Sequence, residues 1–350
     1  MPGKAIVKSI EISSFRGIKK GVLEGFRGIN IFIGKNNMGK STVLEAIYLA
    51  TSIMDDLLNE NPLEYIIKRR EWFGLSSVES LFFRGSREIK ISLTLIKEKI
   101  NIEITPGLIP VMHLENLRGK GLDINNIEMI DVIIDGIGKY SFYIDDEGET
   151  QIIIEKKPNK FERSILIDWE RIKTFGSPED TYSYLIKKRG FEAKMGIINA
   201  LSDRYPDITN IEPLKSDDRW ILHVSRGDYS IPIYVEGDGI KSVLNYLMFL
   251  SSFRNSILLL EEPELHLHPG LMDILSHFIV HSHIHGGNQL FISTHSLELL
   301  DYLIEKAKQM GARTSLMVYK FSLRDNVLKY IAYSIDEAIR LRKEIEYDLR

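Results

Sequence analysis

The sequence predicts an α/β fold split into two halves by a β-rich insertion and a helical segment. Three observations predict it. The apolar run INIFIG (29–34) leads through a glycine-rich loop into a helical pattern. The β-type segments IKISLTLI, KINIEIT, IDVIID, KYSFYIDD and TQIIIEKK follow one another within 88–155, separated by Gly, Pro, Asn or Asp. From residue 240 apolar strands and helical patterns alternate again, as in chains that build a parallel sheet.

Taken in order, AIVKSIEIS (5–13) alternates as a strand, Phe15-Arg16-Gly17 turns, and Gly21–Phe26 gives a second strand. INIFIG is apolar throughout, which suits a strand buried on both faces. Ser41–Leu58 has helical spacing, with Val43, Leu44, Ile47 and Leu57 apolar and Glu45 in the first turn. Residues 165–205 read as helices, and 219–235 as two strands joined by Arg226-Gly227-Asp228. Beyond 240 come the helix IKSVLNYLMFLSSF, the strand NSILLLEEPE, the helix GLMDILSHFIVHSHIH and the strand NQLFISTHS. SLELLDYLIEKAKQM (helix), the strand pair MVYKFS and VLKYIAYS, and a charged tail helix complete the chain. The organisation read from this is a first half (1–85), a β-rich insertion (86–165), a helical and strand lobe (166–235), a second half (236–335) and a tail helix (336–350).

The 350 residues are 44% hydrophobic, enough for a large core. There is no cysteine, which excludes disulfides and thiolate metal sites. No apolar run approaches the ~20 residues that span a bilayer, and MPGKAIVKSIEIS has no signal-peptide pattern. The expectation is a cytoplasmic protein with no membrane partner. A net charge of −4 argues against nucleic-acid binding over the whole surface. Lys68-Arg69-Arg70 and Lys187-Lys188-Arg189 read first as solvated helix faces and second as local nucleic-acid patches.

Four motifs carry chemistry. The first is 34-GKNNMGKST-42, comprising Gly34, Lys35, Asn36, Asn37, Met38, Gly39, Lys40, Ser41 and Thr42. Its glycines allow a path that turns backbone N–H groups inward, and the following helix N-terminus adds to the anion cradle. Lys40 would reach the β- and γ-phosphates of a nucleotide, and the Ser41 hydroxyl would ligate Mg²⁺. The second is 257-ILLLEEPELHLHP-269, an apolar strand ending in two acids. Glu261 would hold the metal, and Glu262 would polarise the attacking water as general base. The third is 290-LFISTHS-296, which places His295 at the end of another strand, suited to a γ-phosphate and the same water. The fourth is 236-EGDGIKSVLNYL-247, where Gly237, Asp238 and Gly239 open a helix and form a second anion site. One phosphate tail does not need two such sites, so this one is assigned to the nucleotide of a second subunit. Apart from these, His277, His281 and His285 share one helix face, a spacing that suits a transition metal and equally a polar face near a helix C-terminus.

The order of loop, long insertion, glycine-helix, acid strand and histidine strand resembles the ABC-type ATPases. Within them it is most similar to the branch of RecF, the structural-maintenance-of-chromosomes (SMC) proteins and the OLD (overcoming lysogenization defect) ATPases. The residues that carry this are ISSFRGI (12–18), GKNNMGKST, EEPELHLHP (261–269) and STHS (293–296). The resemblance covers about 1–85 and 236–350 and is closest to the OLD type through EEPELHLHP. It implies a P-loop NTPase fold, an ABC-ATPase-like head, with ATP and Mg²⁺ as ligands and a homodimer formed on ATP binding. It places Arg16 beside the nucleotide, makes His295 the switch histidine, and puts Glu264–His268 at the dimer interface. DNA and a separately encoded effector or nuclease stand as further partners, because the segment after His295 leaves no room for a nuclease domain of the OLD kind.

Three departures from the family pattern stand out. Glu261 replaces the usual aspartate, Gly237 replaces the signature serine, and none of Gln151, Gln289 and Gln309 sits where a metal-binding glutamine follows the first lobe. The function expected is an ATP-hydrolysing dimeric switch in DNA maintenance or mobile-element defence. The alternative is a nucleotide-binding sensor or scaffold with little turnover that controls a separate effector. A small-molecule kinase and a transporter subunit fit less well, given the late acid pair and the insertion.

Overall fold

The computed structural model describes residues 6–52, 60–69, 75–135, 138–156, 164–174, 178–216 and 218–344. The first half runs β1 (Val7–Phe15), β2 (Ile18–Glu24), β3 (Ile29–Ile33), α1 (Lys40–Ser52), α2 (Pro62–Lys68) and α3 (Leu75–Glu79). The middle runs β4 (Ile89–Leu95), β5 (Lys99–Pro106), α4 (Val111–Gly119), β6 (Ile127–Ile134), β7 (Gly138–Asp145), β8 (Thr150–Lys156), β9 (Ser164–Ile167), α5 (Trp169–Thr174) and α6 (Pro178–Ser202). It continues through β10 (Ile208–Ser216), β11 (Arg219–Arg226) and β12 (Tyr229–Pro232). The second half runs α7 (Asp238–Ser252), β13 (Ile257–Glu261), α8 (Pro269–Gly286), β14 (Gln289–Ser293), α9 (Leu297–Gln309), β15 (Leu316–Arg324), β16 (Val327–Ser334) and α10 (Ile335–Glu344).

One sheet of 13 strands organises these elements, in the order β8-β7-β6-β5-β4-β1-β2-β16-β15-β3-β14-β13-β9. The run from β8 to β2 is antiparallel. From β15 to β9 every pairing is parallel. Alternate residues of the central strands feed two cores. Ile31, Leu258, Leu260, Leu290 and Ile292 face the layer of α6, α7, α8 and α9. Phe32, Ile257, Leu259 and Phe291 face α1 and the antiparallel strands. That double burial is why these strands read as unbroken apolar runs. The one polar residue within β3, Asn30, is fully buried and satisfied: Oδ1 accepts from Arg27 N, and Nδ2 donates to the carbonyls of Arg27 and Leu290.

Several elements differ from the sequence reading. SILI (164–167) was expected to be helical but forms β9, parallel to β13. Three apolar residues carry no period of their own, and the open edge of β13 decides their state. The helix read through 180–205 breaks at Gly190, whose φ of 70° and ψ of −169° lie outside helical values. β10 went unread because Pro213 interrupts it; the strand lies at the edge of the small sheet β10-β11-β12, where proline is tolerated. The end of the helix expected over Ser41–Leu58 and the last residues of the tail helix lie outside the described residues.

Gln289, fully buried at the start of β14, ties the start of β1 and the turn before β3 to the central sheet. Its Oε1 accepts from the N–H groups of Ile6 and Val7, and its Nε2 donates to the carbonyls of Val7 and Arg27. Removing the amide strands buried backbone groups, at about 1–3 kcal/mol each. Gln289→Leu is therefore expected to lower the unfolding free energy by roughly 3 kcal/mol in urea titration, whereas Gln309→Leu at an exposed contact leaves it nearly unchanged. Equal effects would contradict this role for Gln289.

Candidate active site

The glycine-rich loop joins β3 to α1, and two glycines set its path. Gly34 has φ 145°, and a Cβ there would lie 2.9 Å from the Phe321 carbonyl. Gly39 has φ 90° and would bring a Cβ to 3.1 Å from Ile18 Cδ1. α1 then starts at Lys40, so its first N–H groups face the loop as an anion cradle.

The loop bounds a cavity of about 990 Å³. Asn36, Asn37, Met38, Gly39, Lys40, Ser41 and Thr42 form one wall, and Arg16, Glu262 and His295 form others. Four separate segments singled out in the sequence thus meet at one cavity. Ser80 and Leu323 also line it, and no sequence signal marks them. Gly237, Asp238 and Gly239 do not line it, and neither does Glu261.

Lys40 is almost fully buried and holds three partners: the carbonyls of Gly34 (2.8 Å) and Lys35 (3.1 Å), and His295 Nε2 (2.8 Å). Burial pulls its ammonium down to about 8, against the opposing pull of Glu262, Glu264 and Glu261. Glu262 Oε1 lies 3.3 Å from the same His295 Nε2. One ring nitrogen cannot accept from Lys40 and donate to Glu262 together. With Lys40 charged, Nε2 is the acceptor and the imidazole carries its proton on Nδ1. A hydrogen bond from Nε2 to Glu262 needs the proton on Nε2 instead.

The strand ends fix the two catalytic candidates. Glu261 pairs with Ser293 in the β13–β14 ladder. Glu262 then leaves the strand with φ 45° and donates its N–H to the Ser293 carbonyl at 2.9 Å. A non-glycine residue in this region stores strain that the surrounding structure must hold. Glu264 holds the histidine side: its Oε1 accepts from Thr294 Oγ1 and from the N–H groups of His295 and Ser296. Burial raises the Glu264 carboxyl above its usual range, and those hydrogen bonds oppose the shift. Sequence reading placed Glu264 only in the interface string, yet it positions His295 within its own chain.

Glu261 instead pairs with Arg69, whose guanidinium also meets Glu45 and Asp168. This corrects the expectation of a solvated basic face at Lys68-Arg69-Arg70: the Arg69 side chain is 7% exposed, and Arg70 lies outside the described residues. Lys187 and Lys188 are exposed on α6 as expected, while Arg189 donates to the Ser252 carbonyl. The Ser41 hydroxyl and the acid pair are hard oxygen donors of the kind Mg²⁺ takes, so the donor set fits a Mg²⁺–nucleotide complex.

The signature loop lies elsewhere on the surface. Gly237 caps α7 with no side-chain hydrogen bond, and Gly237 and Asp238 are exposed. A Cβ at Gly239 would meet the His266 carbonyl at 2.9 Å, so α7 and the EEPELHLHP turn touch there. Arg226 grips Glu236 through two hydrogen bonds of 2.8 and 2.9 Å and fixes the loop to β11.

The histidine stripe is not a metal site. His277, His281 and His285 stack with ring centroids 6.1 and 4.5 Å apart, but eight helical residues span about 12 Å. Burial lowers the pKa of His277 and His281, and like charges, Arg254 among them for His281, add to it. No group of three metal-ligating side chains exists among the described residues.

Comparison with known proteins narrows the assignment. The family described as "AAA domain, putative AbiEii toxin, Type IV TA system" matches residues 140–301, and a family of unknown function (DUF2813) matches 5–61. An ATP/GTP phosphatase of Helicobacter pylori is 21% identical over 346 residues, covering 90% of this chain and 92% of that protein. The DNA replication and repair protein RecF of Pelotomaculum thermopropionicum is 32% identical over 100 residues, 28% of this chain and 26% of RecF. The crystal structure of an SMC head bound to the C-winged helix domain of ScpA aligns over 96% of this chain and 100% of that one. Its TM-score is 0.54 at 13% identity, a likeness of fold. These matches support an ABC-type ATPase similar to RecF, on the fold of the SMC heads. They support an ATP-binding ATPase, and its mixed α/β fold is like that of the SMC heads. No helix among the described residues of this ATPase is long and apolar enough to cross a membrane.

The Lys40 environment gives a pH signature. Phosphates restore the charged ammonium, so above about pH 8 binding must take up a proton, and affinity falls as pH rises. Calorimetry of ADP binding at pH 8.5 in buffers of different ionisation enthalpy is expected to show net proton uptake that vanishes at pH 7. Uptake that is equal at both pH values, or lacking at both, would contradict the assignment.

Proposed function

We propose that the chain is an ATP-driven dimeric switch of the OLD-like kind, in which two copies share two nucleotides head to tail. The observation that carries this reading is the split of the anion sites. The cavity of Lys40, Glu262 and His295 excludes the Gly237-Asp238-Gly239 helix start of the same chain, whose Gly237 and Asp238 are exposed. A helix N-terminus without a side-chain cap is left to receive a phosphate from outside. Beside it Tyr234 and Val235 are 53% and 71% exposed, and Leu265 of the adjoining turn is 39% exposed. Large apolar side chains around an anion site suit burial against a second copy.

In this reading Lys40 and the loop amides hold the β- and γ-phosphates, and Arg16 contacts the nucleotide from the opposite wall. Ser41 and Glu261 hold Mg²⁺, which supplies charge neutralisation at the phosphates when bound. Glu262 orients the attacking water and accepts its proton, and His295, held by Glu264, donates to the γ-phosphate. Phosphoryl transfer to water depends on positioning and electrostatics more than on covalent chemistry. The β-rich strands β4–β8 extend the sheet away from the site and would carry its motion to a partner. The RecF similarity and the AbiEii-type family support a task in DNA maintenance or mobile-element defence, with DNA or a separate effector as partner. The lack of a hydroxyl at Gly237 favours slow turnover, which keeps a sensor role as the second reading.

Lys40→Ala is expected to abolish nucleotide binding, and Glu262→Gln to keep binding while turnover falls at least about 100-fold, the usual scale for a general base. Native turnover in Glu262→Gln would refute the base assignment. Val235→Asp is expected to leave fluorescent-nucleotide affinity of the single chain intact and to lower turnover at least tenfold, as like charges meet at the interface. Unchanged turnover would refute the shared site.

A further inference from the structure

Arg69 sits at the centre of a closed electrostatic cluster. Its Nη1 lies 3.2 Å from Glu45 on α1, its Nε 2.9 Å from Asp168 after β9, and its Nη2 pairs with Glu261 at the end of β13. Glu45 is fully buried and also pairs with Arg16, which lines the nucleotide cavity. Asp168 accepts a further hydrogen bond from Tyr65 on α2, at 2.6 Å. Three carboxylates from three chain segments thus share two guanidiniums. A clamp that only fastened α2 to the head would need one carboxylate. This one uses the fork of a single arginine to reach three, a geometry lysine cannot copy.

Resting on the reading of Glu261 as the metal carboxylate, we infer that Arg69 is a positioning residue that guards Glu261. It neutralises Glu261 and holds it out of the cavity while no nucleotide is bound. Nucleotide reaches the cluster through Arg16. When phosphate draws the Arg16 guanidinium, Glu45 loses that partner. A buried carboxylate cannot stay undercompensated, so Glu45 pulls harder on Arg69, whose hold on Glu261 slackens. Glu261 then turns to the cavity, where Ser41 waits. The protein thereby couples metal capture to nucleotide and avoids loading a bare cation. The missing metal-binding glutamine fits this account, because the link between the first lobe and the metal site runs through Arg69 instead.

The test is Mn²⁺ binding to the full chain without nucleotide, followed by electron paramagnetic resonance. Arg69→Met removes the charge and keeps the length. It is expected to bind Mn²⁺ roughly tenfold or more tightly than the native chain, the scale of removing one neighbouring charge from a partly buried site. Adding Glu261→Gln should erase that gain, and Arg69→Lys, which keeps the charge but loses the fork, should bind Mn²⁺ between the native chain and Arg69→Met. Arg16→Gln keeps Arg69 in place and should raise Mn²⁺ affinity in the same direction, so the test stands even where Arg69→Met fails to fold. Native-like Mn²⁺ affinity in Arg16→Gln, or in a folded Arg69→Met that still binds ADP, would overturn the inference. Glu261→Gln alone separates the two layers. If it leaves Mn²⁺-assisted ADP binding intact, the metal assignment itself is wrong. If it abolishes that assistance while Arg69→Met behaves as native, only the role of Arg69 fails.

Discussion

Burial of β3, β13 and β14 on both faces is the constraint from which the site follows. These strands carry apolar side chains into two cores, so a polar side chain within them must be fully paired, as Asn30 is, and groups available to a ligand can appear only where the strands end. All three are parallel, and their C-terminal ends lie on one edge of the sheet. The glycine-rich loop, the acid pair and the His295 cluster are the continuations of those ends. Residues more than 200 positions apart in sequence therefore meet at one cavity without any contact chosen for that purpose.

Within this edge, compensation of charge decides what each group does. Lys40 is nearly buried and is held by two carbonyls and an imidazole, so its charge is costly until a phosphate arrives. Glu264 is buried more deeply than Glu262 and spends its oxygen on the start of α9. The three neighbouring acids of EEPE thus divide their work by environment: Glu261 to a guanidinium, Glu262 to the cavity, Glu264 to the positioning of His295. Environment, not residue type, separates their roles.

Much of this was legible in the sequence, and what was not has physical causes. The loop 34–42, Glu262 and His295 were readable because strand–loop–helix spacing dictates where a strand end points. The parallel core was readable from unbroken apolar runs. Arg69 was misread as surface because its three acidic partners lie 24, 99 and 192 positions away, and no local pattern reports such pairing. The strand β9 was misread because its three apolar residues take the state that the edge of β13 offers. Glu264 was placed with the interface string because its hydrogen bonds to residues 294–296 depend on the fold.

The most direct test of the shared-site account is the mass of Glu262→Gln in solution by light scattering, with and without Mg·ATP. The account predicts a single chain that doubles in mass only when ATP is present, and that stays single when Val235→Asp is added. An ATP-loaded particle of unchanged mass would contradict it, and would leave the glycine-capped start of α7 without the phosphate it is assigned to receive.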